Sequence, residues 1–346
     1  MSTKFVGQST RSIVAKTPAS KKQTPSTTAA SKSGSNRGPG GRTPAGRPTK
    51  AAAGRPAGLF TWIAIGLVVV VVATLVIIKV TSGTTTGGGS SGYTASSPTL
   101  VAQVTKIDSA VFNTVGVTST VVPVTPPQVL KGQPELFGTS STGAKLPEVF
   151  YLGAEYCPFC AAQRWATIVA LSRFGTFKGL GNMESSTLSG EAYPGTPTFT
   201  FVKTTYTSNY LVLKTVEELN NIFNTAINNY SPLQKPTAAE EAIFKKYDTS
   251  KYIKGITASQ DLSIPFITMG NKFLISGASY TPATLTGLTR SAIAAGLSDP
   301  TSPVTAAIIA SANYQTAALC TLTNNQPGNV CTSSGVMAAK KVMGLK

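Results

Sequence analysis

The sequence predicts a mixed α/β domain that follows a disordered basic tail and one transmembrane helix. Residues 1–58 contain eleven Lys or Arg residues and no Asp or Glu, and residues 59–78 carry no charge. Later segments alternate between short β-forming runs and longer segments with helical spacing. The predicted parts are the tail at 1–58, the transmembrane helix at 59–78, a Gly/Ser/Thr linker at 79–98 and an extracytoplasmic domain at 99–346.

The tail has a composition that excludes a packed core, because it offers too little apolar surface to offset the entropy lost on folding. A nucleic-acid-binding arm is the alternative, since basic tails bind phosphates without sequence preference. The sequence disfavours it, because the charges are spread singly and no aromatic-rich patch accompanies them. The net charge of +17 is mainly a property of the tail and indicates little about a substrate.

Residues 59–78 are long enough to cross a bilayer, because about 20 residues at 1.5 Å each span the hydrocarbon core. The positive charge before them predicts a single-pass cell-membrane protein with a cytoplasmic N-terminus and an outer C-terminal domain. Lys50 and Arg55 would then lie near lipid headgroups. A cleaved signal peptide fits less well, because the apolar run and the region before it are too long and no Ala-x-Ala site follows.

The first elements of the outer domain are a weak helical pattern at 100–115 and an extended Pro-rich stretch at 121–134, with an edge strand near Val129. The apolar run Val149 to Leu152 predicts a buried parallel strand. A helix should follow it, beginning at the cysteines and closing at Gly175.

The C-terminal half contains two Thr-x-x-Glu spacings, Thr215 with Glu218 and Thr237 with Glu240. This spacing is typical of capping boxes, so each pair predicts the start of a helix. The region 179–197 is interpreted as a Gly- and Ser-rich loop. The other predicted elements are strands at 198–202, 210–213, 264–268 and 272–276 and helices at about 281–295 and 303–318.

Cys157 and Cys160 enclose Pro158 and Phe159 at the start of the central helix. The spacing lets both sulfurs meet within the first helical turn, and a helix N-terminus favours an anion, so Cys157 should ionise more readily. This pattern predicts a reversible dithiol in which an exposed Cys157 attacks and Cys160 resolves the mixed disulfide. The alternative is a fixed structural disulfide, the default state on an outer domain.

The stretch from 154 to 160 resembles the thioredoxin-superfamily active site, with Tyr156 where many members carry Trp. Ile264, Pro265 and Phe266 resemble that superfamily's cis-proline loop, which faces the cysteines and holds the substrate backbone. The resemblance implies a cis Ile264–Pro265 bond, a catalytic role for Pro265 and a substrate contact at Ile264. It also implies a thioredoxin-like mixed sheet flanked by helices, here with extra helices.

Tyr156 and Phe159 are predicted to form an apolar platform for a substrate peptide. The chain departs from thioredoxins in two ways: it has Tyr151 where they place a buried acid, and it contains no histidine. We therefore expect a smaller shift of the Cys157 pKa than in strong oxidants, caused mainly by the helix terminus. Glu155 either influences proton transfer near the thiols or is an exposed carboxylate without a role.

The segments GAEYCPFCAAQRWA, ALSRFGTF and YPGTPTFTF, with the C-terminal cysteine pair, resemble the family called domain of unknown function 929. The resemblance covers nearly all of residues 98–346. It implies a thioredoxin-like fold and no established substrate.

Cys320 and Cys331 are predicted to form their own disulfide, which would stabilise the fold by about 2 to 3 kcal/mol through loop closure. A relay that exchanges this pair with Cys157 and Cys160 is one alternative. Zinc held by all four thiolates is another, which the wide separation of Cys320 and Cys331 and the lack of histidine disfavour.

The sequence thus predicts a membrane-anchored thiol–disulfide oxidoreductase that acts on thiols or disulfides of exported proteins and exchanges electrons with an unidentified redox partner. It needs no cofactor and no metal. No paired carboxylates, histidine or serine-triad signature indicates acid–base catalysis. The alternative is a non-catalytic envelope binding domain whose cysteines are locked in two structural bridges.

Overall fold

The computed structural model describes residues 93–117 and 122–346. The predicted tail (1–58), transmembrane helix (59–78) and most of the predicted linker lie outside these residues. The end of that linker overlaps strand β1 (Thr94–Ala95), which pairs with Gly181 and Asn182, so these two residues belong to a sheet. Within the described ranges, no helix combines the length and the apolarity needed to cross a bilayer.

The described residues form a mixed α/β fold, as predicted, with one six-stranded sheet and three smaller sheets. The further strands are β2 (Gln128–Val129), β3 (Phe137–Thr139), β4 (Lys145–Gly153), β5 (Gly175–Lys178), β6 (Gly181–Glu184), β7 (Pro197–Thr200), β8 (Thr205–Ser208), β9 (Val212–Glu217), β10 (Leu219–Asn224), β11 (Asn229–Pro232), β12 (Phe266–Met269) and β13 (Phe273–Ser276). The large sheet runs β2-β13-β12-β4-β3, and β9 also pairs with β4. The small sheets are β1-β6-β7, β10-β11 and β5-β8.

Strand β4 is the central strand of the large sheet, with a neighbouring strand on each edge and an apolar core on each face. Val149 and Tyr151 pack into the larger core, whereas Phe150 and Leu152 pack into the core on the opposite face. A strand covered on both faces has a continuous apolar sequence, which is why this strand could be predicted. It is parallel to β9 and antiparallel to β12.

Helices cover both faces of this sheet. The helices are α1 (Pro98–Thr105), α2 (Ser109–Val115), α3 (Pro158–Leu171), α4 (Ala238–Tyr247), α5 (Arg290–Gly296), α6 (Pro303–Leu322), α7 (Gly328–Cys331) and α8 (Ser334–Met343). Residues of α3 and α6 fill the larger core, and Phe244 and Tyr247 of α4 pack on the other face.

Several predicted elements are confirmed with shifted ends. Helix α4 opens with the capping box of Thr237 and Glu240, in which each residue bonds the other's backbone N–H. Strand β2 includes Val129 and lies at the sheet edge, and β12 and β13 form the predicted hairpin. The helix predicted at 281–295 is instead a short 3-10 turn followed by α5. Helices α7 and α8 were not predicted.

The helix predicted from Thr215 and Glu218 was wrong. Thr215 lies in β9, whose residues from Val212 to Glu217 pair in parallel with β4. That ladder satisfies the backbone groups that a helix would otherwise bond, so the tertiary pairing outweighs the local capping signal. The segment after it forms the β10–β11 hairpin, the name used here for residues 219–232.

The predicted helix end at Gly175 was also wrong. Helix α3 ends at Leu171, and Gly175 is the first residue of β5, which pairs with β8. A β-carbon at Gly175 would lie 2.8 Å from Ser208 Cβ and would overlap the Thr207 carbonyl. Glycine is therefore required here by the close approach of two strands. The predicted loop at 179–197 likewise contains β6.

Candidate dithiol site

Cys157 and Cys160 lie where β4 gives way to α3, as predicted. Cys157 is the N-cap residue of α3, and its Sγ accepts a hydrogen bond from the Cys160 backbone N–H at 3.3 Å. The sulfur thus does what a serine or aspartate oxygen does at other helix starts. Pro158 follows at the first helical position. An N–H at this position would have no partner within the helix, so proline costs no hydrogen bond here.

Pro265 lies beside this pair. The Ile264–Pro265 peptide bond is cis, as the resemblance implied, and Pro265 directly precedes β12. The Ile264 carbonyl oxygen lies 3.9 Å from Cys157 Sγ. Ile264 also packs in the same apolar cluster as both cysteines. The structure therefore brings together the three residues predicted to be catalytic.

Both thiols are free and fully covered, each with 0% exposure. The prediction that Cys157 is exposed was wrong for this structure. The β10–β11 hairpin contributes to this cover, because Phe223 and Tyr230 pack in the cluster that contains the two sulfurs. Sequence reasoning missed this cover because it assigned the segment to a helix.

Tyr230 holds the hairpin against the site by stacking on Tyr156. The two ring centroids are 4.2 Å apart and the planes differ by 3°. Phe223 meets the Tyr230 ring edge-on at 5.5 Å. The Leu219 carbonyl accepts the Glu155 N–H at 2.9 Å. The Tyr156 face that was predicted to receive a substrate is therefore occupied by the hairpin.

The loop at residues 185–196 also contacts the β10–β11 hairpin, through two residues that bond Tyr230. The Tyr230 hydroxyl donates to the Glu191 carboxylate at 2.5 Å and lies 2.7 Å from Ser186 Oγ. Phe159, the second predicted platform residue, is half-buried and meets the Tyr193 ring edge-on at 6.0 Å. Opening the site thus requires these contacts to break.

A fully buried ion pair lies on the inner side of the cysteines. Arg164 donates to Glu217 through Nε at 2.8 Å and through Nη2 at 2.6 Å, and Nη2 also donates to the Ala154 carbonyl. Glu217 ends β9 opposite Gly153 of β4, whereas Arg164 follows Cys160 by one helical turn. Sequence reasoning did not identify Glu217 as the partner of Arg164, because it placed Glu217 inside a predicted helix.

Glu155 is buried, so its interpretation as an exposed carboxylate was wrong. The Thr200 hydroxyl donates to its Oε1 at 2.5 Å. Burial raises the pKa of Glu155, and the Thr200 hydrogen bond offsets part of that rise. Glu155 therefore belongs to the polar group around Arg164 and Glu217.

The two thiols have pKa values shifted in opposite directions. Burial raises the pKa of Cys157, but hydrogen bonds from the Cys160 thiol and N–H and the charge of Arg164 outweigh it, so that pKa lies below its usual value. Burial, the hydrogen bond to Cys157 and the Cys157 charge together hold the pKa of Cys160 well above the usual thiol range. Cys157 is therefore the thiol that ionises more readily, and Cys160 is the one that stays protonated.

Cys320 and Cys331 form the predicted disulfide, with Cα atoms 5.6 Å apart. It joins α6 to α7 inside the larger core, whereas the dithiol packs in its own cluster. Two of the four thiolates required by the zinc alternative are therefore bonded to each other. Across residues 93–117 and 122–346, no group of three or more Cys, Asp or Glu side chains has the arrangement of a metal site.

The chain belongs to the family described as domain of unknown function (DUF929), because the family match at residues 139–321 covers more than half of its length. The matched range includes the dithiol, the β10–β11 hairpin, Pro265 and Cys320, and it ends before Cys331. No curated protein and no solved structure matches the chain.

Proposed function

We propose that this chain is a thiol–disulfide oxidoreductase in which Cys157 attacks and Cys160 resolves. The observation that carries the proposal is a reduced Cys-x-x-Cys pair at a helix N-terminus, with Cys157 Sγ 3.9 Å from the carbonyl that precedes Pro265. The lowered pKa of Cys157, set against the raised pKa of Cys160, supports the division of roles.

The reaction begins when the Cys157 thiolate attacks one sulfur of a substrate disulfide. A bond forms between Cys157 and that sulfur, and the other substrate sulfur leaves as a thiolate and takes a proton. Cys160 then loses its proton and attacks the Cys157 sulfur, which releases the second substrate thiol and leaves a Cys157–Cys160 disulfide. Two electrons pass to the substrate, and a dithiol redox partner must restore the pair. The reverse sequence oxidises substrate thiols.

A thioredoxin-like fold is part of this proposal. Its support is the chain order: β4, the dithiol helix α3, the parallel strand β9, helix α4 and then the β12–β13 hairpin headed by Pro265. The antiparallel pairing of β12 with β4 brings the head of that hairpin next to the end of β4, where the cysteines begin. The helices from α5 to α8 are the extra elements.

Substrate access requires the β10–β11 hairpin to move, because neither sulfur is exposed. Movement of Tyr230 away from Tyr156 would free the flat face of the Tyr156 ring for a substrate peptide. Phe159 and Ile264 then border the same opening. The covered state protects the thiolate from adventitious oxidation until a substrate displaces the hairpin.

An extracytoplasmic setting is also part of the proposal, with residues 59–78 as the membrane anchor and residues 1–58 in the cytoplasm. The Cys320–Cys331 disulfide supports it, because persistent disulfides form in oxidising compartments. The partners would be membrane lipid around the anchor, thiols or disulfides of exported proteins, and the unidentified redox partner.

A second candidate is a non-catalytic envelope binding domain. The observation that favours it is the complete burial of both free thiols. The sequence predicted that such a domain would lock its cysteines in two structural bridges, but Cys157 and Cys160 are free and only the bridge between Cys320 and Cys331 is present. In a binding domain the β10–β11 hairpin would stay closed, and Cys157 and Cys160 would contribute only to packing.

The full chain in detergent micelles tests these alternatives. A titration with reduced and oxidised glutathione, followed by thiol labelling and peptide mass analysis, should convert Cys157 and Cys160 together between dithiol and disulfide. Cys160→Ser should instead accumulate glutathione on Cys157, and Cys320→Ala with Cys331→Ala should titrate like the parent chain. The absence of redox-dependent labelling at Cys157 over the whole titration would reject the oxidoreductase and favour the binding domain.

A further inference from the structure

Two hydrogen-bond donors beside the dithiol have no partner. Tyr151 Oη and Arg164 Nη1 are both buried and make no hydrogen bond, although both side chains belong to residues with 0% exposure. Buried polar groups are nearly always paired, so two unpaired donors in one place require an explanation.

Both donors lie close to Cys160. A β-carbon added at Gly153 would overlap Tyr151 Oη and would stand 3.1 Å from Cys160 Sγ, so the hydroxyl and the sulfur border the same space. Because Gly153 has no β-carbon, the Tyr151 hydroxyl fits at this place. Arg164 lies four residues after Cys160 on α3, and its guanidinium carbon is 5.9 Å from the Tyr151 ring centroid. Residues four apart share one helix face, so Arg164 and Cys160 lie on the same side of α3, and the Arg164 charge acts on the Cys160 sulfur.

Cys160 changes what it can accept during the proposed reaction. A thiol is a weak acceptor, whereas a thiolate accepts strong charge-assisted hydrogen bonds. The Nε and Nη2 groups of Arg164 already donate hydrogen bonds to Glu217 and to the Ala154 carbonyl. Nη1 is therefore available to donate to a further anion. The unpaired donors therefore match an anion that exists only while Cys160 is ionised.

We propose that Tyr151 is a catalytic residue whose hydroxyl donates a hydrogen bond to the Cys160 thiolate in the resolving step, with Arg164 supplying the positive charge. The proposal rests on the oxidoreductase function. The Cys160 proton leaves to water, the thiolate attacks the Cys157 sulfur, and the bond between Cys157 and the substrate breaks as the substrate thiolate departs. Burial raises the pKa of Tyr151 well above its usual value, so the phenol keeps its proton and acts only as a donor.

Ellman's reagent, 5,5′-dithiobis(2-nitrobenzoate), separates the two steps in the full chain. Cys157 attacks the reagent and releases one thionitrobenzoate; Cys160 then attacks the mixed disulfide and releases the second. Cys320 and Cys331 are bonded to each other, so the thionitrobenzoate released comes only from the reaction of Cys157 and Cys160. The matched control is Tyr206→Phe, which removes a half-buried hydroxyl that donates to the Leu171 carbonyl at the far end of α3.

Tyr151→Phe should slow the second release about tenfold at pH 7, the change expected when the Cys160 pKa rises by one unit, and leave the first release unchanged. The difference should shrink as the pH rises, because Cys160 is then ionised in both proteins. A purely structural role would slow the release equally at every pH. A second release as fast as in Tyr206→Phe would overturn the role of Tyr151 alone, whereas a parent chain without any second release would overturn the oxidoreductase function as well.

Discussion

The two cysteine pairs are equally buried and chemically different. Cys320 and Cys331 are bonded across the ends of two helices within the large apolar core. Cys157 and Cys160 are free at the start of α3, with a buried ion pair and an unpaired phenol on their inner side. Burial alone therefore does not separate a structural cysteine from a reactive one. The difference lies in which charges and donors surround the sulfur.

Removing the charge beneath the dithiol should have the largest effect. Glu217→Gln leaves the Arg164 charge buried without a counter-ion, which should lower the free energy of unfolding by about 3 to 5 kcal/mol. Urea unfolding followed by circular dichroism measures this change. Glu241→Gln is the matched control, because its pair with Lys245 is exposed, and it should leave the free energy of unfolding nearly unchanged. Equal losses in the two variants would show that the buried pair is not special.

Asp248, which is hydrogen-bonded to the segment before Pro265, should make the folding stability sensitive to pH. Asp248 is buried, and its carbonyl accepts the Leu262 N–H at 2.8 Å. Burial raises the pKa of Asp248 from 3.8 to about 7, and the Ser276 hydroxyl and Ser263 N–H relieve only part of that cost.

Between pH 4 and pH 7 the unfolded chain loses this proton while the folded chain keeps it, so folding stability should fall as the pH rises. The loss is complete about one pH unit above 7 and amounts to roughly 4 to 5 kcal/mol, at about 1.4 kcal/mol per pKa unit. Asp248→Asn should reduce this slope in urea unfolding from pH 4 to pH 8, and buried Glu155, whose pKa is also raised, should account for part of what remains. Glu135→Gln, which removes an exposed carboxylate, should keep the full slope. An unchanged slope in Asp248→Asn would assign the pH dependence to other groups.

Removing the C-terminal disulfide should lower the free energy of unfolding but leave the thiol–disulfide exchange of Cys157 unchanged. Cys320→Ala with Cys331→Ala removes a short closed loop and should lower the free energy of unfolding by about 3 kcal/mol. The release of thionitrobenzoate by Cys157 should stay within twofold of the parent rate. Cys157→Ala with Cys160→Ala should do the reverse, abolishing release at a smaller cost in stability. Loss of release in the first variant would revive the relay between the two pairs.

The smallest expected effect concerns the hairpin that covers the dithiol. Tyr230→Ala removes the stack on Tyr156 and the bond to Glu191, so alkylation of Cys157 by iodoacetamide should speed up about tenfold. Tyr230→Phe keeps the stack and should accelerate it less. Tyr252→Ala, which removes a ring packed on Tyr247 in a different cluster, is the control. An unchanged rate in Tyr230→Ala would mean that the hairpin does not limit access.

The errors of sequence interpretation cluster in the part of the molecule that covers and tunes the site. Thr215 to Glu218 has a valid local helix signal, yet β9 pairs with β4 over its whole length. Because of this one error, the sequence analysis could not identify Glu217 as the partner of Arg164. It also could not place Tyr230 in the cluster around Cys157. Local capping energies are about 1 kcal/mol, too small to oppose a full strand pairing and its burial.

The sequence by itself determined the mixed α/β class, the central strand, the dithiol at a helix start and the pairing of Cys320 with Cys331, whereas the loop of Pro265 was implied by the superfamily resemblance. These features depend on local spacing and on residue types whose chemistry is unambiguous. Only the tertiary structure decided that both thiols are covered, that Arg164 pairs with Glu217 and that the Tyr151 hydroxyl lies free beside Cys160. These features join residues far apart in the chain, and only the packing of β4, α3 and β9 brings such residues within a few ångströms of each other.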